Sequence, residues 1–238
     1  MILMMHAMMG AAAVPPASGS DVDPSAFIFT IRVENDGDSF TWPHLSGAVY
    51  DAMFDWGDGS SDHVTSEPSA HVYATAGDYD VSVTGVCARP QPTSGSDWRA
   101  MLIAVKQWGS SISTNSWSGV FAHLSNELSI QALDSFGAGV VSTQEMFAST
   151  DLVGDISGWD MSNNTNMDAM FQGSSFSGDI SGWDVSNVTS MNAMFLNAHS
   201  FNQDLSGWCV QNIASEPMGF AVGSALQAGY YPVWGSCP

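Results

Sequence analysis

The sequence predicts a mainly β chain with short helices, in which a small β-sandwich precedes a solenoid of repeated units. Short runs of aromatic and β-branched residues, separated by turn-forming residues, fill the first 90 positions and are typical of strands. The segment 154–207 then repeats itself, since GDISGWDMSNNTNMDAMF is followed by GDISGWDVSNVTSMNAMF and by QDLSGW. Units that recur every 24 or 25 residues bury their apolar faces against one another, which favours a solenoid.

The strongly negative net charge of the chain argues against anionic partners. Only four basic residues oppose 24 carboxylates, and no lysine or arginine follows Lys106. A net charge of −20 repels phosphate, so nucleic acid is excluded as a partner and an anionic membrane is a poor one.

Residues 1–25 are predicted to be an arm that docks onto another protein, because thioether side chains adapt to irregular apolar surfaces. The docking side chains would be Met1, Ile2, Leu3, Met4, Met5, Met8 and Met9. A signal peptide is the alternative, since small residues follow the apolar run, although basic residues are missing before it. The run is shorter than the roughly 20 residues of a transmembrane helix, so no membrane span is predicted.

Three strand predictions follow the arm. The first is AFIFTIRV at 26–33, and the second runs from 48 to 56 into a GDGS turn. The third, HVYATAGDYDVSVTGV at 71–86, is predicted to be a hairpin folded about Ala76 and Gly77. These strands would form a sandwich over 26–89.

Two motifs in this region carry a family resemblance. DWGDGSS at 55–61, followed by HVYATAGDYDVSVTG at 71–85, resembles the signature of the PKD type of immunoglobulin-like domain. The resemblance implies a spacer or binding module without catalytic activity. Asp55, Asp58 and Asp62 are weak candidates for calcium ligands, because calcium prefers carboxylate oxygens. The competing interpretation is that turn aspartates bond their own backbone.

The repeats are predicted to span 102–208, after a linker at 90–101 that is marked by PQPTSGS. Methionines separated by 24 residues set the register, at Met146, Met170, Met194 and Met218. Met191, Met194, Phe195 and Ala198 follow i, i+3, i+4, i+7 spacing, which predicts a helix with one buried face in each unit.

Stacking of the units predicts a core and several columns. The predicted repeat core comprises Trp159, Met170, Phe171, Ile180, Trp183, Met194, Phe195 and Trp208. Trp159, Trp183 and Trp208 would align in one column, and Phe176 with Phe201 in another. Aspartates also recur, at 155, 179 and 204 and at 160 and 184. They are expected to cap turns, with a cation column or a sugar-binding edge as alternatives.

The repeated motif GDISGWDVSNVTSMNAMF resembles the BspA-like leucine-rich-repeat family. This resemblance implies a surface protein whose array ends in a C-terminal cap, here 209–238. A PKD-like module joined to such repeats is also similar to virion proteins of marine phages. Cys209 and Cys237 bracket the cap and are a candidate disulfide, with buried free thiols as the alternative.

The motifs that carry chemistry are missing from the sequence. It has no HExxH, GxSxG, P-loop or paired CxxC, so no catalytic residue, cofactor or metal is predicted and an enzyme is not expected. The first functional hypothesis is a virion surface protein of a phage, a capsid decoration or fibre. It would dock on capsid or tail proteins through the arm, bind a host glycan or protein, and form a homo-oligomer. The alternative is a secreted or cell-surface bacterial adhesin.

Overall fold

A computed structural model describes residues 22–44, 46–93, 95–112 and 114–238. The first strands are β1 Phe27–Val33, β2 Ser39–Phe40, β3 Asp51–Asp55, β4 Ser61–Val64, β5 His71–Val72 and β6 Gly77–Val86. They are followed by α1 Asp97–Met101, β7 Leu102–Gln107, β8 Leu128–Ile130, β9 Leu152–Gly154 and a 3-10 turn at Ala228–Tyr230. The prediction of a mainly β chain with few helices is confirmed.

The first module has two layers of strands. One layer contains β4, β3, β6 and β1 as antiparallel neighbours, and the other pairs β2 with β5. Apolar side chains alternate along β3, where Ala52 and Phe54 are buried between exposed neighbours. Phe29 of β1 meets Phe40 of β2 at a ring-centroid distance of 5.9 Å, which places the aromatic core between the layers. This arrangement is consistent with an immunoglobulin-like domain of the PKD type.

The predicted hairpin at 71–86 is wrong. His71 and Val72 form β5, which pairs with Phe40 and Ser39 of β2. β6 pairs with β1 on one side and with β3 on the other. The turn about Ala76 and Gly77 therefore passes the chain from one layer to the other, and each half of the segment finds its partner far away in sequence.

The sheet of the first module continues into the second half of the chain. β1 pairs antiparallel with β7, β7 pairs parallel with β8, and β8 pairs parallel with β9, which gives one seven-stranded sheet. The predicted linker 90–101 contains α1, whose Trp98 is fully buried. Its ring lies 5.2 Å from that of Phe29 and 6.0 Å from that of Phe121. The segment is thus a packed joint between the two halves.

From residue 102 onward the chain is built of five stacked units. Each unit contains a run of six turn residues, at 118–123, 144–149, 168–173, 192–197 and 218–223, and we call these runs the turn strip. The second, fourth and sixth N–H groups of each run donate to the first, third and fifth carbonyl oxygens of the next run at 2.7 to 3.1 Å. This ladder joins all five runs, so the backbone of each unit is bonded to its neighbours.

The predicted helix in each unit is wrong, although its buried residues are correctly identified. Met191, Met194, Phe195 and Ala198 are fully buried but lie on consecutive turns. The second and sixth residues of every run have φ between 51° and 74°, a left-handed conformation that interrupts an α-helix. Alternate N–H groups bond within the run and across to the next unit. The turn strip therefore buries the same residues that a helix would bury, but its backbone conformation is not helical.

The predicted methionine register holds for three positions and fails at the fourth. Phe121, Phe147 and Phe171 donate to the carbonyl oxygens of Met146, Met170 and Met194, but Phe195 donates to Phe220. These bonds show that Phe220, and not Met218, occupies the position of the methionine in the last unit. Met218 is 82% exposed, because two additional residues precede the last run.

The eight residues of the predicted repeat core are all buried. The strongest column is formed by Phe121, Phe147, Phe171 and Phe195, whose successive ring centroids lie 5.7 to 5.8 Å apart. Phe176 stacks on Phe201 at 6.2 Å, and Trp159 stacks on Trp183 at 6.3 Å. Trp183 and Trp208 each donate an indole N–H to the preceding unit, to the carbonyl oxygens of Ile156 and Ile180. Stacked aromatic rings thus fill the centre of the repeat array.

The C-terminal tail folds back on one side of the last unit. Leu205 donates its N–H to Tyr230, and Val210 donates its N–H to Ser236. A disulfide joins Cys209 to Cys237 and fixes the end of the tail to the array. The part of the chain that the structure describes contains no helix long and apolar enough to cross a membrane.

Candidate binding surface

A line of polar side chains runs along the units at the point where each of the first four runs of the turn strip begins. We call it the polar stripe: Ser116, Ser118, Ser142, Gln144, Asn166, Asp168, Ser190 and Asn192. Successive members are joined across units, with Ser118 Oγ 2.9 Å from Ser142 Oγ and Asn166 Nδ2 donating to Gln144 Oε1 at 3.3 Å. At its last step the Ser190 hydroxyl and the Asn192 N–H both donate to Asp168 Oδ1 at 2.6 Å. These bonds hold the side chains in fixed positions at the surface.

The polar stripe ends in a groove of about 350 Å³. Segments 189–192 and 212–218 form its walls, and their polar side chains include Thr189, Ser190, Asn192, Asn212 and Glu216. Segment 212–218 leads into the last run, which begins 26 residues after the preceding run, and it faces segment 189–192 across the groove. Its amide and hydroxyl groups can donate and accept hydrogen bonds, and no lysine or arginine is present after Lys106 to bind an anion.

The recurring aspartates hold their own turns. Asp155, Asp179 and Asp204 each accept the N–H of the serine two residues later at 2.9 to 3.0 Å. Hydrogen bonds from those serines lower the pKa of all three carboxyl groups. Asp160 and Asp184 make the same bond, to Ser162 and Ser186. This geometry is the predicted turn capping, and it leaves one carboxylate oxygen of each residue toward solvent.

The three aspartates predicted as weak candidates for calcium ligands accept hydrogen bonds from nearby groups. Asp55 accepts the Gly57 N–H, Asp58 accepts from Ser60, and Asp62 accepts the Trp56 indole N–H at 2.8 Å. Within the described ranges, no group of three His, Cys, Asp or Glu side chains has the arrangement of a metal site. The structure therefore does not bring the three aspartates together.

Asp58 is the centre of a small cluster in the first module. Its second carboxylate oxygen lies 2.9 Å from His71 Nε2, and the His71 ring stacks on Trp56 at 4.7 Å. Partial burial opposes the charge of Asp58, but hydrogen bonds from Ser60 and His71 outweigh it and lower the pKa of the carboxyl group. The cluster fixes the turn between β3 and β4, and His71 has a structural role in it.

The docking residues Met1, Ile2, Leu3, Met4, Met5, Met8 and Met9 lie outside the described residues. Asn187, which begins the sequence motif Asn-Val-Thr, donates its side-chain N–H to the carbonyl oxygen of Ser162 at 2.8 Å. Asn212 makes the equivalent bond to Ser186, so these asparagines connect neighbouring units.

Sequence reasoning missed the residues that close the N-terminal end of the array. Arg89 Nη1 donates to the carbonyl oxygen of Ser118 at 3.1 Å, and Trp98 Nε1 donates to that of Val120 at 2.9 Å. These two carbonyls are the first and third of the first run, which an earlier unit would otherwise bond. The signal available in the sequence was a tryptophan, Trp98, inside a segment predicted to be a linker.

Two protein families match the chain. The PKD domain family matches residues 14–90, and the family described as "Mycoplasma protein of unknown function, DUF285" matches residues 115–230. The chain is similar to a PKD domain followed by a DUF285 domain. This supports the predicted PKD-like module and BspA-like array. Neither description names a leucine-rich repeat or a phage protein, so those finer predictions stay predictions. No curated protein and no solved structure matches.

Proposed function

We propose that the chain is a non-enzymatic, surface-exposed binding protein of the adhesin type. In this proposal the five stacked units form a short solenoid of the BspA-like leucine-rich-repeat type. The two family matches support a surface or adhesin-like role. A virion role has no comparable support, and the arm on which it depends lies outside the described residues.

The observation that carries the proposal is the continuous seven-stranded sheet. Because β1 pairs with β7, the PKD-like module is bonded to the first unit of the array. The groove belongs to the last two units, at the opposite end. Four steps at the strand spacing of about 4.8 Å place it roughly 20 Å beyond the first unit. A rigid connection that presents a groove at a distance suits display better than catalysis.

The groove indicates the chemistry of the ligand. Apart from Glu216, the polar side chains of its walls are neutral amides and hydroxyls, which suit hydroxyl-rich ligands, and its volume lies at the lower end of the range for small-molecule sites. The eleven carboxylates after Lys106 repel polyanions. We therefore propose a neutral glycan of a host or neighbouring cell as the ligand. The repeating carboxylates support a non-enzymatic role, because they cap turns and do not converge on a cleft.

Binding of the purified protein to an array of neutral glycans tests this proposal. Ser215 lies in the groove wall, so Ser215→Trp should fill the groove and reduce binding at least tenfold. Ser175→Trp is the matched control, because Ser175 is exposed and lies outside the groove. Equal binding by the two variants, or no binding of wild-type protein to any neutral glycan, would contradict the proposed ligand.

A further inference from the structure

The last run of the turn strip carries a row of backbone N–H groups that have no acceptor among the described residues, and Ala221 in the middle of the row is 6% exposed. In each of the four preceding runs the second, fourth and sixth N–H groups donate to the next unit. In the last run these groups belong to Gly219, Ala221 and Gly223, and none of them donates to any residue that the structure describes. We call these three N–H groups the donor edge.

The two ends of the array differ in this respect. At the first run, Arg89 and Trp98 supply donors to the carbonyl oxygens that no earlier unit bonds. At the last run, the C-terminal tail bonds Leu205 and Val210, and Tyr231 and Trp234 pack on Phe220 at 5.7 and 5.0 Å, but the tail supplies no acceptor to the three N–H groups. Terminal units of repeat proteins ordinarily carry a cap with a polar outer face. Here the cap is complete on one side only.

Exposed apolar side chains flank the donor edge. Met218 is 82% exposed and Val222 is 63% exposed, and both lie in the last run. The equivalent positions in the preceding run are Asn192 and Leu196, which are less exposed. As at the edge of a sheet, N–H groups without acceptors beside exposed apolar side chains can bind the carbonyl oxygens of an added segment.

We propose that the donor edge binds a cationic segment of another protein that adopts the turn conformation of a run of the turn strip. Alternate carbonyl oxygens of that segment would accept hydrogen bonds from the N–H groups of Gly219, Ala221 and Gly223. The carbonyl oxygens of each run accept in the same way from the run before it. Its apolar side chains would cover Met218 and Val222. Basic residues beside them would be attracted by the net charge of −20, which has no lysine or arginine to offset it after Lys106.

A second copy of this chain does not fit the edge. The carbonyl oxygens of the last run are used by Ala193, Phe195 and Asn197 and by bonds within the run, so two such edges would place donors against donors. Two carbonyls of the first run are already bonded by Arg89 and Trp98, which prevents head-to-tail stacking. Like charge would also oppose association of two copies.

A synthetic peptide that copies residues 190–198, with two lysines added at each end, is the probe. It carries the carbonyl pattern of a unit, and the same peptide with glutamates in place of the lysines is its control. The intact chain should bind the lysine peptide at least tenfold more tightly than the glutamate peptide in fluorescence anisotropy. Binding should slow amide hydrogen exchange at Gly219, Ala221 and Gly223 at least tenfold.

Two variants locate the site. Val222→Lys adds a positive charge and a long side chain at the donor edge and should weaken lysine-peptide binding at least tenfold. Val233→Lys is the control, because Val233 is 65% exposed and lies outside the run. Equal effects of the two variants would overturn the proposal, as would unchanged exchange at the three amides or no binding. Protection of these amides by self-association without peptide would also overturn it.

Discussion

The indole N–H of Trp98 donates to the carbonyl oxygen of Val120 at 2.9 Å, and both groups are buried. Trp98 belongs to the joint between the two modules, and Val120 lies in the first run of the turn strip. The bond therefore replaces the one that an earlier unit would make. Together with the continuous sheet, it means that the PKD-like module is the N-terminal cap of the array.

This cap bond predicts different effects of two similar substitutions. Trp98→Phe leaves the Val120 carbonyl without its buried donor, which costs about 1 to 3 kcal/mol beyond the loss of packing. Trp42→Phe is the control, because Trp42 is equally buried and its N–H has no partner among the described residues. Urea denaturation should show the larger loss in the free energy of unfolding for Trp98→Phe. Equal losses would show that the bond adds nothing to stability.

The corrected register predicts opposite behaviour of two methionines. Met194 is fully buried, so Met194→Ala should destabilise the chain by about 2 to 5 kcal/mol. Met218 is exposed, and Met218→Ala should change the free energy of unfolding by no more than about 0.5 kcal/mol. Thermal and urea denaturation of both variants checks this. A large loss in the free energy of unfolding from Met218→Ala would contradict the corrected register and would favour a uniform spacing of 24 residues, with Met218 in the core.

Burial could be predicted from the sequence, but the backbone of the repeats could not. Met191, Met194, Phe195 and Ala198 have helical spacing, and all four are buried. The same spacing is produced by consecutive turns in which Ala193 and its equivalents adopt positive φ. Alanine gives no local signal for that conformation. The bonds that stabilise it come from the next unit, which a pattern within one unit does not reveal.

Long-range pairing limited the other predictions in the same way. The sequence predicts β1 as a strand but does not predict its pairing with β7. These two strands are about 75 residues apart, and the residues between them resemble a separate domain. The groove was also missed. Its wall leads into a run that begins 26 residues after the preceding one, and the methionine at 218 masks this spacing by preserving the apparent period of 24.

The disulfide of the tail predicts a measurable contribution to stability. Cys209 and Cys237 are separated by 28 residues, and closing a loop of this size stabilises a fold by about 3 to 4 kcal/mol in the chain-entropy account. Cys209→Ser with Cys237→Ser should lose about this amount, whereas Cys87→Ala removes only a buried free thiol and tests packing.

The three cysteines should also differ in reactivity. Burial raises the pKa of Cys87 to about 12, so its thiol should resist alkylation in the folded chain. Mass spectrometry of the purified native chain should show two fewer hydrogen atoms than the reduced chain. Alkylation of Cys209 and Cys237 without prior reduction would contradict the pairing.

The capped turns predict how stability depends on pH. The pKa values of Asp155, Asp179 and Asp204 are lowered in the folded chain by hydrogen bonds from serine. The stabilising contribution is therefore complete above the unfolded value of about 3.9 and is lost as pH falls through the lower folded values. Replacing all three by asparagine keeps an accepting oxygen that does not titrate, so this variant should lose less stability than wild type below about pH 4.

A second triple variant controls for the loss of charge. Glu127→Gln, Asp151→Asn and Glu216→Gln remove the same number of charges from carboxylates that make no side-chain hydrogen bond within the described part of the chain. Its stability should follow the acid profile of the wild type. Coincident profiles for wild type and the turn variant, measured by chemical denaturation at each pH, would show that the serine bonds are not linked to folding.

Immunolabelling of intact cells of the source organism tests the surface role most directly. Antibodies raised against the purified chain should label cells that have not been permeabilised, and external protease should remove the label. Labelling that appears only after permeabilisation, or a chain recovered with sedimenting particles and not with cells, would contradict an adhesin-like protein at the cell surface.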